Sequence, residues 1–111
     1  MTIYLDCDGT WIDLYGIENW LDYLLAEDIY PYANAKPLVN LSLLARTIHE
    51  LQRKGVKVGI ISWLSKGGSE AYNAAVDITK RKWFKRHIPS VTFDEVHIVK
   101  YGTPKSSCAT Q

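Results

Sequence analysis

Apolar and polar positions along this chain repeat on two different periods, and the changes of period mark its elements. Thr2-Ile3-Tyr4-Leu5 is a short apolar run of the kind a buried strand presents. Residues 17 to 28 place Ile17, Trp20, Leu21, Leu24 and Leu25 at helical spacing, with Glu18, Asp22, Glu27 and Asp28 interleaved, which predicts an amphipathic helix. Its aromatic residues, with Tyr30 and Tyr32 just after it, suit either a small lid or packing onto a core. Pro31 and Pro37 bracket a loop. Asn40 then reads as the N-cap of a helix through about Lys54, with Leu41, Leu44, Ile48 and Leu51 on its buried face and Gly55 as its stop.

Val56 to Ser62 is apolar, rich in β-branched residues and ends on a small polar side chain, so it predicts a central strand. Lys66-Gly67-Gly68-Ser69 is a loop in which Ser69 can cap a helix running to about His87, with Tyr72, Val76, Trp83 and His87 near one face. The Gly-Gly pair beside that helix start either presents N–H groups to an anion or simply turns the chain. A third strand is expected from Val96 to Val99. Thr103-Pro104-Lys105 then has the form of a helix start. Strands separated by helical crossovers of this length make parallel βαβ units, and the class they predict is α/β.

Size and charge narrow the functional classes. The 111 residues, 47% hydrophobic and 23% charged, suit a single domain with a real core. A net charge of +1 supplies no field for nucleic acid or for an anionic membrane, and no apolar run approaches the roughly 20 residues that span a bilayer. The cationic residues Lys80, Arg81, Lys82, Lys85 and Arg86 crowd the last turns of a predicted helix, where they complement its dipole as a solvated end. Cys7 and Cys108 differ in context and read as free thiols of a reducing compartment, which makes a cytoplasmic location the expectation. His49, His87 and His97 are too scattered to argue a zinc site.

The chemistry concentrates where the first apolar run ends, in Asp6-Cys7-Asp8-Gly9-Thr10. Two carboxylates at the end of a buried strand carry a desolvation cost that a divalent cation would offset. A strand's period of two sends Asp6 and Asp8 to one side and Cys7 to the other. Gly9 permits a sharp turn and a close approach to a ligand. Such spacing suits phosphoryl transfer: one carboxylate attacks phosphorus while the second handles the leaving-group proton. A plain hairpin turn would account for Asp-Gly, but not for the apolar run or for the second acid. Asp13, just upstream of helical sequence, fits a helix cap better than a metal ligand.

The apolar strand followed by D-x-D-G-T resembles the first motif of the haloacid dehalogenase-like superfamily of Mg-dependent phosphohydrolases. The resemblance implies Asp6 as nucleophile, Asp8 as general acid/base, and Mg²⁺ held by Asp6 and Asp8. It implies Ser62, at the end of the second core strand, as a phosphate-binding hydroxyl, with Gly9 and Thr10 beside it. The family's third motif is a lysine, matched here by Lys105 or alternatively by Lys100. The segment from Tyr15 to Pro37, with Ile98 to Lys105, looks similar to small members of the family from bacteria and phage. Longer members continue into a strand ending in Asp-Asp, and no acid follows Glu95 in this chain. Asp94 and Glu95 precede the third strand and so belong at the far end of the sheet from the site.

The expectation is therefore one haloacid dehalogenase-like domain over residues 1–111. Its parallel sheet would have three strands in the order 3-2-1, helices on both faces, and a helical insertion over about 14–37. Its function would be hydrolysis of a small phosphorylated substrate, a nucleotide or a sugar phosphate. The alternative is a truncated, catalytically silent domain used for binding or assembly. A first strand without an outer neighbour leaves an edge that invites a homodimer.

Overall fold

The computed structural model describes residues 1–105. In chain order these form β1 (Thr2–Leu5), β2 (Ile12–Asp13), a 3-10 turn (Leu14–Gly16), α1 (Trp20–Leu25), α2 (Tyr30–Asn34) and β3 (Lys36–Pro37). They continue through α3 (Leu41–Arg53), β4 (Lys57–Trp63), α4 (Glu70–His87) and β5 (Glu95–Val99). The fold is α/β: β1, β4 and β5 make a parallel sheet with β4 in the centre. Val58 through Ser62 are all buried, as a central strand flanked on both edges requires. The register sets Leu5 beside Ile60 and Ile60 beside Val96, so these side chains emerge on one face.

That face carries the main core. Ile48 of α3 and both Trp83 and Phe84 of α4 join Val58 and Ile60 in one buried cluster, with Leu5 and Val96 packed against it. The two long helices therefore share a face, contrary to the expectation of helices on both faces. The cause is topological: from β1 to β4 to β5 the chain steps across the sheet in one direction, and right-handed crossovers then leave both helices on the same side. Burying each large aliphatic side chain of this cluster is worth about 1.5–3 kcal/mol.

On the other face Gly59 lies between Tyr4 and Glu95, its neighbours in register. A Cβ at position 59 would lie 3.0 Å from two ring carbons of Tyr4. Glycine there lets the Tyr4 ring cross the sheet, so that its hydroxyl donates to Glu95 Oε1 at 3.1 Å, where His97 Nε2 also lies at 2.8 Å. Asp94 accepts from the Val58 amide at 2.7 Å and from Gln52 at 3.1 Å, which ties the start of β5 to β4 and α3. Both acids thus serve the amino-terminal end of the sheet.

β2 and β3 pair antiparallel, Ile12 with Pro37 and Asp13 with Lys36, and this two-residue ribbon frames the excursion that holds α1 and α2. The helix expected over 17–28 is shortened to α1, Trp20–Leu25, and α2 follows beyond that span. Asn19, left-handed at φ 61°, precedes α1, and Glu27 at φ 55° follows it. Pro31, expected as a loop boundary, lies in the first turn of α2, where its missing N–H costs nothing. α1 buries none of its residues fully, and Leu21 and Leu25 are exposed. The long helices begin and end as the sequence predicts. Asn40 Oδ1 accepts from the Leu43 amide at 3.1 Å, Ser69 Oγ from the Tyr72 amide at 3.1 Å, and Gly55 adopts φ +85° after α3. The helix start expected at Thr103-Pro104-Lys105 is at the limit of the described residues, and its continuation lies outside them, as does Cys108. Among the described residues no helix is long and apolar enough to cross a membrane.

Candidate active site

β1 ends at Leu5, and the next three residues turn back on themselves. The Cys7 carbonyl accepts from the amides of Thr10, Trp11 and Ile12, and the Gly9 amide donates to the Ile12 carbonyl at 2.8 Å. Gly9 takes φ +78°, and a Cβ there would lie 3.0 Å from the Tyr15 ring. Its role is conformational, since its N–H is already engaged within the turn and is not offered to a phosphate. Thr10 is exposed and lines a neighbouring groove with Asp6, Leu43 and Thr47, not the cavity that holds Asp8 and Ser62. Of the phosphate-binding residues expected from the sequence, Ser62 alone borders that cavity.

Asp6 and Asp8 both open into a cavity of about 450 Å³ at the carboxyl ends of the strands. Ser62, from the last turn of the pleat in β4, lines it as well, buried to 1% exposure. Open α/β sheets bind ligands at this end of their strands. Cys7 points the other way into the core, where burial first and the Asp8 charge second push its thiol up to about 12. A thiol held so firmly protonated is packing, not a nucleophile.

Lys105 reaches Asp6 and forms an ion pair with it. The loop that carries it is fixed by the Leu64 amide, which donates to the Val99 carbonyl at 2.7 Å, and by the Trp63 indole N–H, which donates to the Thr103 carbonyl at 2.9 Å. Lys100, the alternative, is exposed at the end of β5 and is not among the cavity's lining residues.

A second lysine enters the site from an unexpected direction. Lys80, predicted as part of a solvated cationic helix end, is 5% exposed. Its Nζ donates to Asp8 Oδ2 at 2.9 Å, to Ser62 Oγ at 2.6 Å and to the Trp63 carbonyl at 2.7 Å. It also lies 5.2 Å from the centre of the Tyr32 ring. Helical spacing explains the burial: Lys80 follows Val76 by one turn and precedes Trp83 by three residues, and both of those are buried. Arg81, Lys82, Lys85 and Arg86 are exposed, as expected. Tyr32 and Ser65, both buried, complete this side of the cavity. Burial first and then the Asp8 charge push the Tyr32 phenol well above its ordinary value, so Tyr32 stays neutral.

The excursion is latched to the body of the domain beside this cavity. Glu27 accepts from the Ser69 amide at 2.7 Å and from Ser69 Oγ at 3.0 Å, and the Tyr72 hydroxyl donates to the Asp28 carbonyl at 2.8 Å. The anion at the start of α4 is thus the chain's own carboxylate. Asp13 lies outside the cavity; it precedes the 3-10 turn without a side-chain cap bond, its carboxylate against Gly16. Among the described residues no group of three or more His, Cys, Asp or Glu is placed to share a metal ion. No family model matches this chain, and neither does any curated protein or solved structure compared with it.

Proposed function

We propose that this chain is a Mg²⁺-dependent phosphohydrolase of the haloacid dehalogenase-like type, acting through an aspartyl-phosphate on Asp6. The observation that carries the reading is the meeting of Asp6, Asp8, Ser62 and Lys105 in one cavity at the carboxyl ends of the strands, from three separate stretches of sequence. Asp6 is the more open of the two acids, its side chain 54% exposed against 17% for Asp8, as a nucleophile that must reach phosphorus requires.

An Asp6 oxygen attacks phosphorus, the bond to the ester oxygen breaks, and Asp8, which takes up a proton from solvent before the first turnover, passes that proton to the leaving oxygen. Asp8 then takes a proton from water, the hydroxide attacks the phosphorus, and inorganic phosphate leaves with Asp6 restored. Lys105 exchanges its contact with Asp6 for the arriving phosphate. Because Lys80 Nζ donates to Ser62 Oγ, the hydroxyl proton of Ser62 is free to be given to a phosphate oxygen. Lys80, with all three of its protons engaged, is a positioning residue. The Asp6 carboxylate and the Asp8 main-chain carbonyl are hard oxygen donors that would suit Mg²⁺ retaining several waters. When bound there, the cation would neutralise the charge shared by the carboxylate and the phosphate.

A second reading has its own support. Each of the two carboxylates already has its own ammonium partner, Asp8 with Lys80 and Asp6 with Lys105, so neither acid requires a further cation. A silent binding or assembly domain would need no more than that. The discriminating experiment is phosphate release from an aryl phosphate by the purified chain with and without Mg²⁺. Turnover that is lost on chelation and in Asp6→Asn supports the hydrolase; undiminished turnover in Asp6→Asn would contradict it. The homodimer expected through the edge of β1 belongs to this same account, and its test is given with the whole molecule below.

A further inference from the structure

We infer that the organic half of the ligand taken by this cavity is a flat aromatic group, so that the site selects aryl or nucleobase-bearing phosphoesters over sugar or polyol phosphates. The inference rests on the reading of Asp6, Ser62 and Lys105 as the phosphate end of the site. What it adds comes from the rest of the lining.

Two aromatic pairs border the cavity from different parts of the chain. Trp63 and Tyr101, from the ends of β4 and β5, pack at 4.8 Å between ring centres. Tyr15 and Trp20, from the excursion, meet edge-on at 4.9 Å. All four line the same cavity as the acids. Tyr15 and Tyr101 are about half exposed, at 53% and 51%, so their faces are not consumed by the core. Rings left open beside an anion site are a stacking platform, and stacking is indifferent to the hydroxyl pattern that a sugar would present.

The charges agree with this geometry. Lys105 Nζ lies 4.8 Å from the centre of the Trp63 ring and Lys66 Nζ 5.7 Å from that of Tyr101. The aromatic wall of Trp63 and Tyr101 is thus flanked by two cations, one of them already on Asp6. A ligand that is anionic at one end and flat and apolar at the other is complementary to both features. Beyond the acids, the lysines and Ser62, the cavity's polar groups are Ser65, the tyrosine hydroxyls and the Trp20 indole N–H, the Trp63 indole N–H being engaged by the Thr103 carbonyl. Leu21 and Leu25, both exposed, add to the apolar side. The volume of about 450 Å³ accommodates a ligand of nucleotide size.

Binding of unreactive phosphonates to the full chain tests this without requiring turnover. Isothermal titration would compare 2-naphthylmethylphosphonate, cyclohexylmethylphosphonate and methylphosphonate, all in the presence of Mg²⁺. The naphthyl compound is expected to bind at least about tenfold more tightly than either of the others, and Tyr15→Ala and Tyr101→Ala are each expected to erase most of that preference. Both side chains are half exposed, so the variants should fold, which circular dichroism would verify. Equal affinity for the naphthyl and cyclohexyl compounds would overturn the inference, as would failure of all three to bind, or a preference unchanged in both variants. If the naphthyl preference is found and no phosphoester is turned over, the aromatic site stands and the hydrolase reading falls. If turnover is found with no aromatic preference, the reverse holds.

Discussion

Lys80 Nζ has three protons to donate and three acceptors within 2.9 Å, on a side chain 5% exposed. Removing its charge leaves the Asp8 carboxylate without its buried cation and Ser62 without its donor. Lys80→Met is therefore expected to destabilise the fold by about 3–5 kcal/mol, the usual cost of breaking a buried pair from one side. Combining it with Asp8→Asn should recover more than about 1 kcal/mol relative to the sum of the single losses. Thermal or urea unfolding of the four proteins measures that coupling, and strict additivity would mean that the contact contributes nothing. At this scale the sequence was legible in part. Asp6, Asp8 and Ser62 announce themselves because a polar group closing an apolar strand needs a reason. Lys80 gave no such signal, since it begins a run of cations, and only the facing of α4 separates it from Arg81 and Lys82. Gly9 and Thr10, which the resemblance implies as phosphate-binding, donate their N–H groups within their own turn, a pairing that sequence order does not reveal.

Among the elements, α4 joins the cavity at the strand ends to the core. Its start holds Glu27, its middle supplies Lys80, and at its last turn His87 stacks on Trp83 with ring centres 4.1 Å apart. Burial first, and then the neighbouring Arg86, hold His87 below its ordinary value of 6.5. In the window just under that value the unfolded chain binds more protons than the folded one. The stability contributed is thus complete above 6.5 and falls as pH drops toward the folded value. The melting temperature should fall further in the native chain than in His87→Gln on going from pH about 7.5 to about 5.5. Equal falls would show that His87 plays no part in the acid sensitivity. The caps at Asn40 and Ser69 and the stop at Gly55 were readable because each is a local bond or a local dihedral angle. The early end of α1 was not, because Glu27, left-handed just after it, is held by Ser69, a residue distant in sequence.

Taken whole, the molecule is one layer of helices on one face of a parallel sheet, with a helical excursion latched beside the strand ends. Among the described residues β1 pairs on one side only, with β4. The apolar sequence of β1 is the ground of the proposed homodimer, which predicts a dimer in sedimentation at high micromolar concentration; a monomer there would contradict it. The α/β class and the three strands followed from periodicity alone. That the long helices share a face was already implied by the expected order 3-2-1, since right-handed crossovers that step one way across a sheet put both helices on one side.

The central claim is that Asp6 carries the phosphoryl group, and an acyl phosphate can be caught directly. During turnover of an aryl phosphate with Mg²⁺, borohydride reduction would convert a phosphorylated aspartate to homoserine, which peptide mass spectrometry locates. The account predicts homoserine at position 6 in the native chain and none in Asp6→Asn. Phosphate released from the native chain with position 6 unmodified, or modification at another acid, would contradict it.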